Sequence, residues 1–311
     1  MKVRTISEEL KKQYGGKVLK LSLSAGCTCP NRDGTVGTDG CSFCSEGGSG
    51  DFAAAFAPVE DQIREAKKRV DAKFPKTMPP EDRKYIAYFQ SFTNTYGDAG
   101  RLRKLYTEVI RRPEIVILSV ATRPDCLDGE IMEMLADLNR IKPVWVELGL
   151  QTIHQSTADN FGRGYTLGVF AEAVRKLKAA GITVIVHLIL GLPGETQEEM
   201  LASVRYIASF RPRIDGVKLQ LLHVLKGTRM GEDYEREPFP VMTMEEYTDL
   251  VVRCLQLLPE EMIIHRMTGD APKKLLIAPA WSADKKRVLN LLRQKIREAE
   301  RPCGADRSSK I

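Results

Sequence analysis

Between Cys27 and Ser45 the chain reads CTCPNRDGTVGTDGCSFCS, a loop that holds four of its seven cysteines within eighteen residues. Cys41 and Cys44 are separated by two residues, a spacing that lets one turn of backbone deliver both thiolates to one metal centre. Eleven residues intervene between Cys29 and Cys41, and one between Cys27 and Cys29. An odd number of cysteines without secretory features does not read as a disulfide framework, so the cluster points to metal or thiol chemistry. Two centres fit the spacing. Four thiolates close a tetrahedral, structural zinc site; three hold a [4Fe–4S] cluster and leave one iron for an outside ligand. The loop follows directly on the apolar run KVLKLSLSA, where parallel-strand folds put their active sites. Spacing by itself leaves both centres open.

The elements that must position this loop are legible as an alternation. Short apolar runs at 17–25, 84–92, 114–122, 143–150, 182–190 and 216–224 read as six strands. Between them lie EDQIREAKKRV, GRLRKLYTEVIRR, DGEIMEMLADLNR, LGVFAEAVRKLKAAG and ETQEEMLASVRYIASF, with apolar residues at helical spacing. Thr196 with Glu199 forms a capping box, and Gly181 closes the preceding helix. Repeated βα units with near-continuous Val/Ile/Leu strands imply an α/β fold with a parallel sheet covered by helices. The candidates are an open, partial (β/α)6 barrel of the TIM-like kind and a doubly wound sheet. After residue 225 the alternation stops. Residues 1–225 read as the core, and 226–311 as a mainly helical extension packed on it that helps to bind substrate. In the extension, Thr243 and Glu246 open a helix that buries Tyr247, Leu250, Val251, Cys254 and Leu258. A last helix over about 283–300 buries Leu289, Leu292 and Ile296 and turns Lys286, Arg293 and Arg297 outward. Residues 301–311 read as a frayed tail.

With 311 residues, 43% of them hydrophobic, the chain can bury a large core. Lys plus Arg number 47 against 41 Asp plus Glu, a net charge of +6 that is compatible with an RNA partner without requiring one. No run approaches the roughly 18 apolar residues of a membrane span. MKVRTISEELKKQYGG lacks the apolar stretch of a secretory signal. The expectation is a cytoplasmic protein with no membrane contact.

Beyond the cysteine loop, ATRPDCL, WVELGLQTIH, GRGYT and GLPGET fall in order along successive strands. Together with CPNRDGTVGTDGCSFCS they resemble radical S-adenosylmethionine (SAM) enzymes of the elongator-like branch, and within it the bacterial family typified by YtqA and YhcC. The resemblance covers nearly the whole chain, through LLHVLKGT and IHRMTGDAP. It implies a [4Fe–4S] cluster held by Cys29, Cys41 and Cys44, with the amino and carboxylate groups of SAM on the fourth iron and a 5′-deoxyadenosyl radical as the reactive species. Cys27 sits where relatives need not have a cysteine and receives no ligand role. Phe43 is placed to shield the cluster or stack near adenine. Gln151 and Arg163 match positions that contact the SAM ribose and carboxylate in related enzymes. Glu147 shares a strand face with Gly149 and Gln151, so it is expected in the barrel lumen with Arg123 or Arg163 as its partner. Relatives often carry Glu where Ala121 stands, which leaves Glu147 or Ser119 to make that SAM contact. Arg123 is expected in the lumen, with Pro124 and Asp125 turning the chain and capping the next helix. The glycines of GLPGET allow backbone to approach adenine, or serve the turn alone. His187, inside an apolar strand, has the ordinary reading of a satisfied core histidine and is kept as a candidate cofactor contact. Gln90, with Thr93, Asn94 and Tyr96, stands where many such enzymes have a glycine-rich motif for the SAM amino group. In this chain side chains must do that work, or face the substrate.

The polar set His223, Lys226, His265, Arg266, Thr268 and Asp270 is expected around the substrate. Elongator-like proteins act on the wobble uridine of tRNA, and YtqA-type relatives are associated with converting a carboxymethylaminomethyl side chain to its aminomethyl form. The resemblance therefore implies a tRNA partner, with a reducing electron donor such as flavodoxin or ferredoxin. The basic runs REAKKR, RLRK and KKRVLNLLRQKIR agree with an RNA partner. No acetyltransferase domain follows the core within these residues. A radical SAM enzyme acting on a small molecule or peptide, and a non-catalytic protein with a four-cysteine zinc site, are the competing readings.

Overall fold

The computed structural model describes residues 3–48, 50 and 53–300. Helix α1 (Ile6–Tyr14) leads into β1 (Val18–Leu23), and the cysteine loop then connects to α2 (Val59–Val70). Four βα units follow: β2 (Lys84–Phe89) and α3 (Ala99–Ile110), β3 (Ile115–Thr122) and α4 (Gly129–Ile141), β4 (Val144–Gln151) with α5 (Gln155–Asn160) and α6 (Leu167–Ala179), β5 (Thr183–Leu190) and α7 (Gln197–Ser209). The chain continues through β6 (Gly216–Leu221), β7 (Val224–Leu225), α8 (Arg229–Arg236), α9 (Met244–Leu257), β8 (Ile263–Arg266), β9 (Leu276–Ala278) and α10 (Lys285–Glu300). Strands β1 to β6 and then β8 pair in parallel in that order, and β7 pairs with β9 as a small antiparallel ribbon. The result is an open, TIM-like partial barrel.

The strands read as continuous apolar runs because they are covered on both faces. Their outward residues, such as Leu21, Phe89, Val120, Val146, Val184 and Val217, join the helices in the main core. The inward positions of alternating strands meet in the lumen. At its base Ile86, Ile117, Trp145 and Ile185 pack against Leu10 of α1. Helix α1 touches both edge strands, β1 and β8, and so plugs the base of the open barrel across its seam. It is started by a capping box between Thr5 and Glu8, the device that also opens α7 at Thr196 and α9 at Thr243.

Two features of the extension differ from the sequence reading. The segment 263–266 supplies a seventh parallel strand, four residues long, too short for a periodic signal. Helix α10 buries Val288 and Leu292, with Leu291 and Ile296 partly packed against the core, whereas Leu289 is only half-buried. The helix begins at Lys285 and lies along α9, and a stripe at i, i+4 from Val288 meets it. Lys286, Arg293 and Arg297 are exposed as expected. The tail at 301–311 lies outside the described residues.

Candidate active site

At the carboxyl ends of the strands the lumen opens into a cavity of 870 Å³, within the range of about 300–1,000 Å³ typical of cofactor sites. Cys29, Cys41 and Cys44 all line it, and Cys27 does not. The Cys27 thiol lies instead 3.5 Å from the Arg101 guanidinium and 4.0 Å from the Ala25 carbonyl. The fourth ligand that a four-cysteine zinc site needs is therefore turned away. The loop is tied down by its own polar residues. Asn31 Nδ2 donates to the Gly162 carbonyl at 2.6 Å and to Cys41 Sγ at 3.4 Å. Arg32 donates to the carbonyls of Cys44 and Ser45. Burial, with Cys44 beside it, pushes the Cys41 thiol up to about 12. Phe43 leans on Phe161 at 5.2 Å and forms an apolar wall of the cavity.

Gln151 sits at the end of β4 with φ of 61°, beyond a register shift between Gly149 and Gln151. A left-handed non-glycine backbone costs energy and is held by its surroundings. Here Tyr165 Oη donates to the Gly149 carbonyl and to Gln151 Oε1, and the side chain lines the cavity. Gln90 and Thr93 also line it. Asn94 does not serve a ligand: it is fully buried and braces the carbonyls of Phe89 and Ala121. Tyr96 Oη pairs with Thr35 Oγ1. Gly191 and Gly194 both have positive φ, so the GLPGET turn requires them for its backbone path.

Three expectations about charge are corrected. Glu147 is in the lumen, but neither Arg123 nor Arg163 is its partner. Its side chain is 0% exposed and accepts from Lys20 Nζ (3.0 Å) and Ser119 Oγ (2.9 Å) on one oxygen, and from His187 Nε2 (2.7 Å) and Lys218 Nζ on the other. Burial alone would raise its pKa, yet Lys20, Lys218 and His187 hold it well below the usual carboxylate range. With four donors in place, one of them Ser119, both Glu147 oxygens are already occupied. Arg163, with its guanidinium facing the Leu150, Thr152 and Tyr165 carbonyls and Gln155 Oε1, is a brace of the β4–α6 loop and offers no free fork for a carboxylate. Arg123 grips Asp125 through two bonds and donates to the Arg163 carbonyl; Asp128, not Asp125, caps α4.

His187 is neutral at ordinary pH, since burial and Lys218 push it down to about 4 despite Glu147. His223 faces the cavity, and burial lowers it likewise to about 4. Arg266, beside Lys218 in the sheet, and Asp270 line the cavity 3.4 Å apart, with Lys285 at 2.5 Å from Asp270. His265 is not in the cavity wall: its ring packs edge-on to Trp145 at 5.2 Å, in the floor beneath. Lys226 is exposed and outside the cavity, its backbone N–H bonded to the Leu275 carbonyl. The sequence reading missed Lys20, Lys218 and Tyr88. For the two lysines a signal was present, each being the basic residue of an otherwise largely apolar strand.

Residues 28–207 match the Radical SAM superfamily, and residues 214–298 match the Radical_SAM C-terminal domain. The chain belongs to the radical SAM superfamily. YtqA of Bacillus subtilis is 41% identical over 293 residues, covering 94% of this chain and 88% of YtqA. A tRNA uridine(34) acetyltransferase of Methanocaldococcus jannaschii is 30% identical over 166 residues; this radical SAM chain is covered to 52% and spans 30% of that relative's length. Among solved structures, Elp3 of the archaeon Methanocaldococcus infernus shares the fold, with a TM-score of 0.66 at 17% identity over 92% of this chain and 64% of that one. Radical SAM enzymes bind a [4Fe–4S] cluster and SAM. The donor set fits: three thiols of one loop line the cavity, and the fourth cysteine faces elsewhere. Among the described residues no helix is long and apolar enough to cross a membrane.

Proposed function

We propose that this radical SAM enzyme acts on the wobble uridine of tRNA and converts its carboxymethylaminomethyl side chain to the aminomethyl form. The observation that carries the substrate class is the match over half of this chain to a relative named for its action on uridine 34 of tRNA. Cys29, Cys41 and Cys44 would hold the cluster, and SAM would lie in the cavity that Phe43, Gln151 and Gln90 line. When bound, the cluster and SAM would supply a 5′-deoxyadenosyl radical capable of taking hydrogen from a carbon next to the substrate amine. The chain's own residues restrict that reactivity. Asn31 and Arg32 fix the loop, the wall of Phe43 and Phe161 excludes water, and the pinned backbone at Gln151 sets where the nucleoside end of SAM rests. As a balanced reaction, the carboxymethylaminomethyl side chain, SAM and water give the aminomethyl side chain, glyoxylate, methionine, 5′-deoxyadenosine and a proton. A flavodoxin or ferredoxin primes the cluster, and the enzyme works in the cytoplasm where tRNA is matured.

The test is nucleoside analysis of tRNA from cells lacking the protein. Accumulated carboxymethylaminomethyluridine with loss of aminomethyl-derived forms supports the reading. Unchanged wobble uridines overturn it and point to a small-molecule or peptide substrate.

A further inference from the structure

The middle layer of the lumen is short of negative charge. Lys20 from β1, Lys218 from β6 and Arg266 from β8 face it, together with Tyr88, Ser119, His187 and a single carboxylate, Glu147. Asp270, the next nearest acid, is held by Lys285 at 2.5 Å and reaches Arg266 only at 3.4 Å. Glu147 binds both lysines at once, and its oxygens have no capacity left for a ligand. Both ammonium groups also sit over the Tyr88 ring, at 4.5 and 4.6 Å from its centroid, but a neutral ring does not cancel a charge. An enclosed cation without a counter-ion is costly, so it is shed or matched. Lys218 already shows the strain: burial, with Lys20 and Arg266, pulls its pKa well down although it touches an ionised carboxylate.

We infer that this layer is a carboxylate site, in which Lys20, backed by Lys218 and Arg266, receives an acidic group of the substrate. Lys20 is the direct contact because its side chain is 29% exposed, against 3% for Lys218. The carboxylate of SAM is the other possible source of the same chemistry. Depth favours the substrate. Along β4, Glu147 stands four residues before Gln151, or about 13 Å below the strand end, and the ammonium groups of both lysines are bonded to it. A group there must enter the lumen beyond the layer of the cysteine loop. The inference rests on the proposed reaction, whose substrate carries a carboxymethyl group that its product has lost.

Equilibrium dialysis of the cluster-loaded, SAM-bound enzyme tests it, with the nucleosides 5-carboxymethylaminomethyluridine and 5-aminomethyluridine as probes. Wild type is expected to prefer the first by tenfold or more. Lys20→Met abolishes that preference, and Lys20→Arg keeps most of it. SAM affinity changes less than twofold in both variants, and thermal unfolding verifies that both fold. Equal binding of the two nucleosides by wild type overturns the inference. So does a loss of SAM affinity in Lys20→Met that matches the loss for the carboxylated nucleoside, which would give the site to SAM. N-methylglycine against methylamine repeats the comparison without a nucleoside. A preference for N-methylglycine that Lys20→Met removes upholds the carboxylate site even where tRNA from deletion cells is unaltered, so the two readings fail separately.

Discussion

Replacing Glu147 by glutamine keeps the side chain's shape and removes the charge that holds two lysines in the lumen. In the native protein each carboxylate oxygen takes two donors, and Lys218 is buried beside it with Lys20 on the other side. Breaking a buried ion pair from one side costs about 3–5 kcal/mol, because the partner is left as an uncompensated buried charge. For a chain of 311 residues, an unfolding entropy of about 2.1 cal/mol/K per residue turns that loss into a fall of roughly 5–8 °C in melting temperature. Thermal unfolding of the anaerobic holoprotein, followed by circular dichroism, reads it directly. The double variant Glu147→Gln/Lys218→Met removes the stranded cation as well and is expected to regain at least half of the loss. A single variant that melts within about one degree of wild type, or a double variant no better than the single, would refute the view that these charges are coupled.

Other outcomes follow from the same geometry. Cys29→Ala, Cys41→Ala and Cys44→Ala are each expected to lose the visible absorbance and iron of the cluster after anaerobic purification, whereas Cys27→Ala retains both, since its thiol faces Arg101. Arg163→Met removes the guanidinium donor from the Thr152 and Tyr165 carbonyls, while the Leu150 carbonyl keeps the Thr152 N–H, at roughly 1–3 kcal/mol for each left unsatisfied; a fall in urea midpoint is expected, and unchanged stability with lost SAM affinity would make Arg163 a ligand instead. His187 and His223 are held neutral down to about 4. The unfolded chain binds their protons first, so stability should decline as pH falls from about 6.5 to 4. His223→Gln should flatten that slope in a series of melting curves.

The cysteine loop and the six long strands were legible because each depends on local spacing: a thiol pair two residues apart, and apolar runs without interruption. The α/β class followed from the alternation, which left the choice between a partial barrel and a doubly wound sheet open. Strand β8 was not legible, since four residues give no period and its place depends on pairing with β6. Glu147 is a lumen residue, as its phase on β4 implies, but its partners come from β1 and β6, which approach it only when the sheet curls. Lys20 and Lys218 stood out as cations in apolar strands, but nothing local in the sequence says that both meet Glu147. Arg163 shows a different limit, because a guanidinium that braces backbone carbonyls looks in sequence like one that awaits a ligand. Lys226 and His265 were grouped with the cavity by nearness in the chain to His223 and Arg266. The turn after β7 carries the first outside, and strand phase sends the second into the floor.

The account is tested most directly by incubating the anaerobic holoenzyme, SAM and a reductant with tRNA from cells lacking the protein, and measuring 5′-deoxyadenosine, glyoxylate and aminomethyluridine together. The three products are expected in equal amounts, with 5′-deoxyadenosine rising only when the carboxymethylaminomethylated tRNA is present. Cleavage of SAM that ignores this tRNA, with no aminomethyluridine formed, would contradict it.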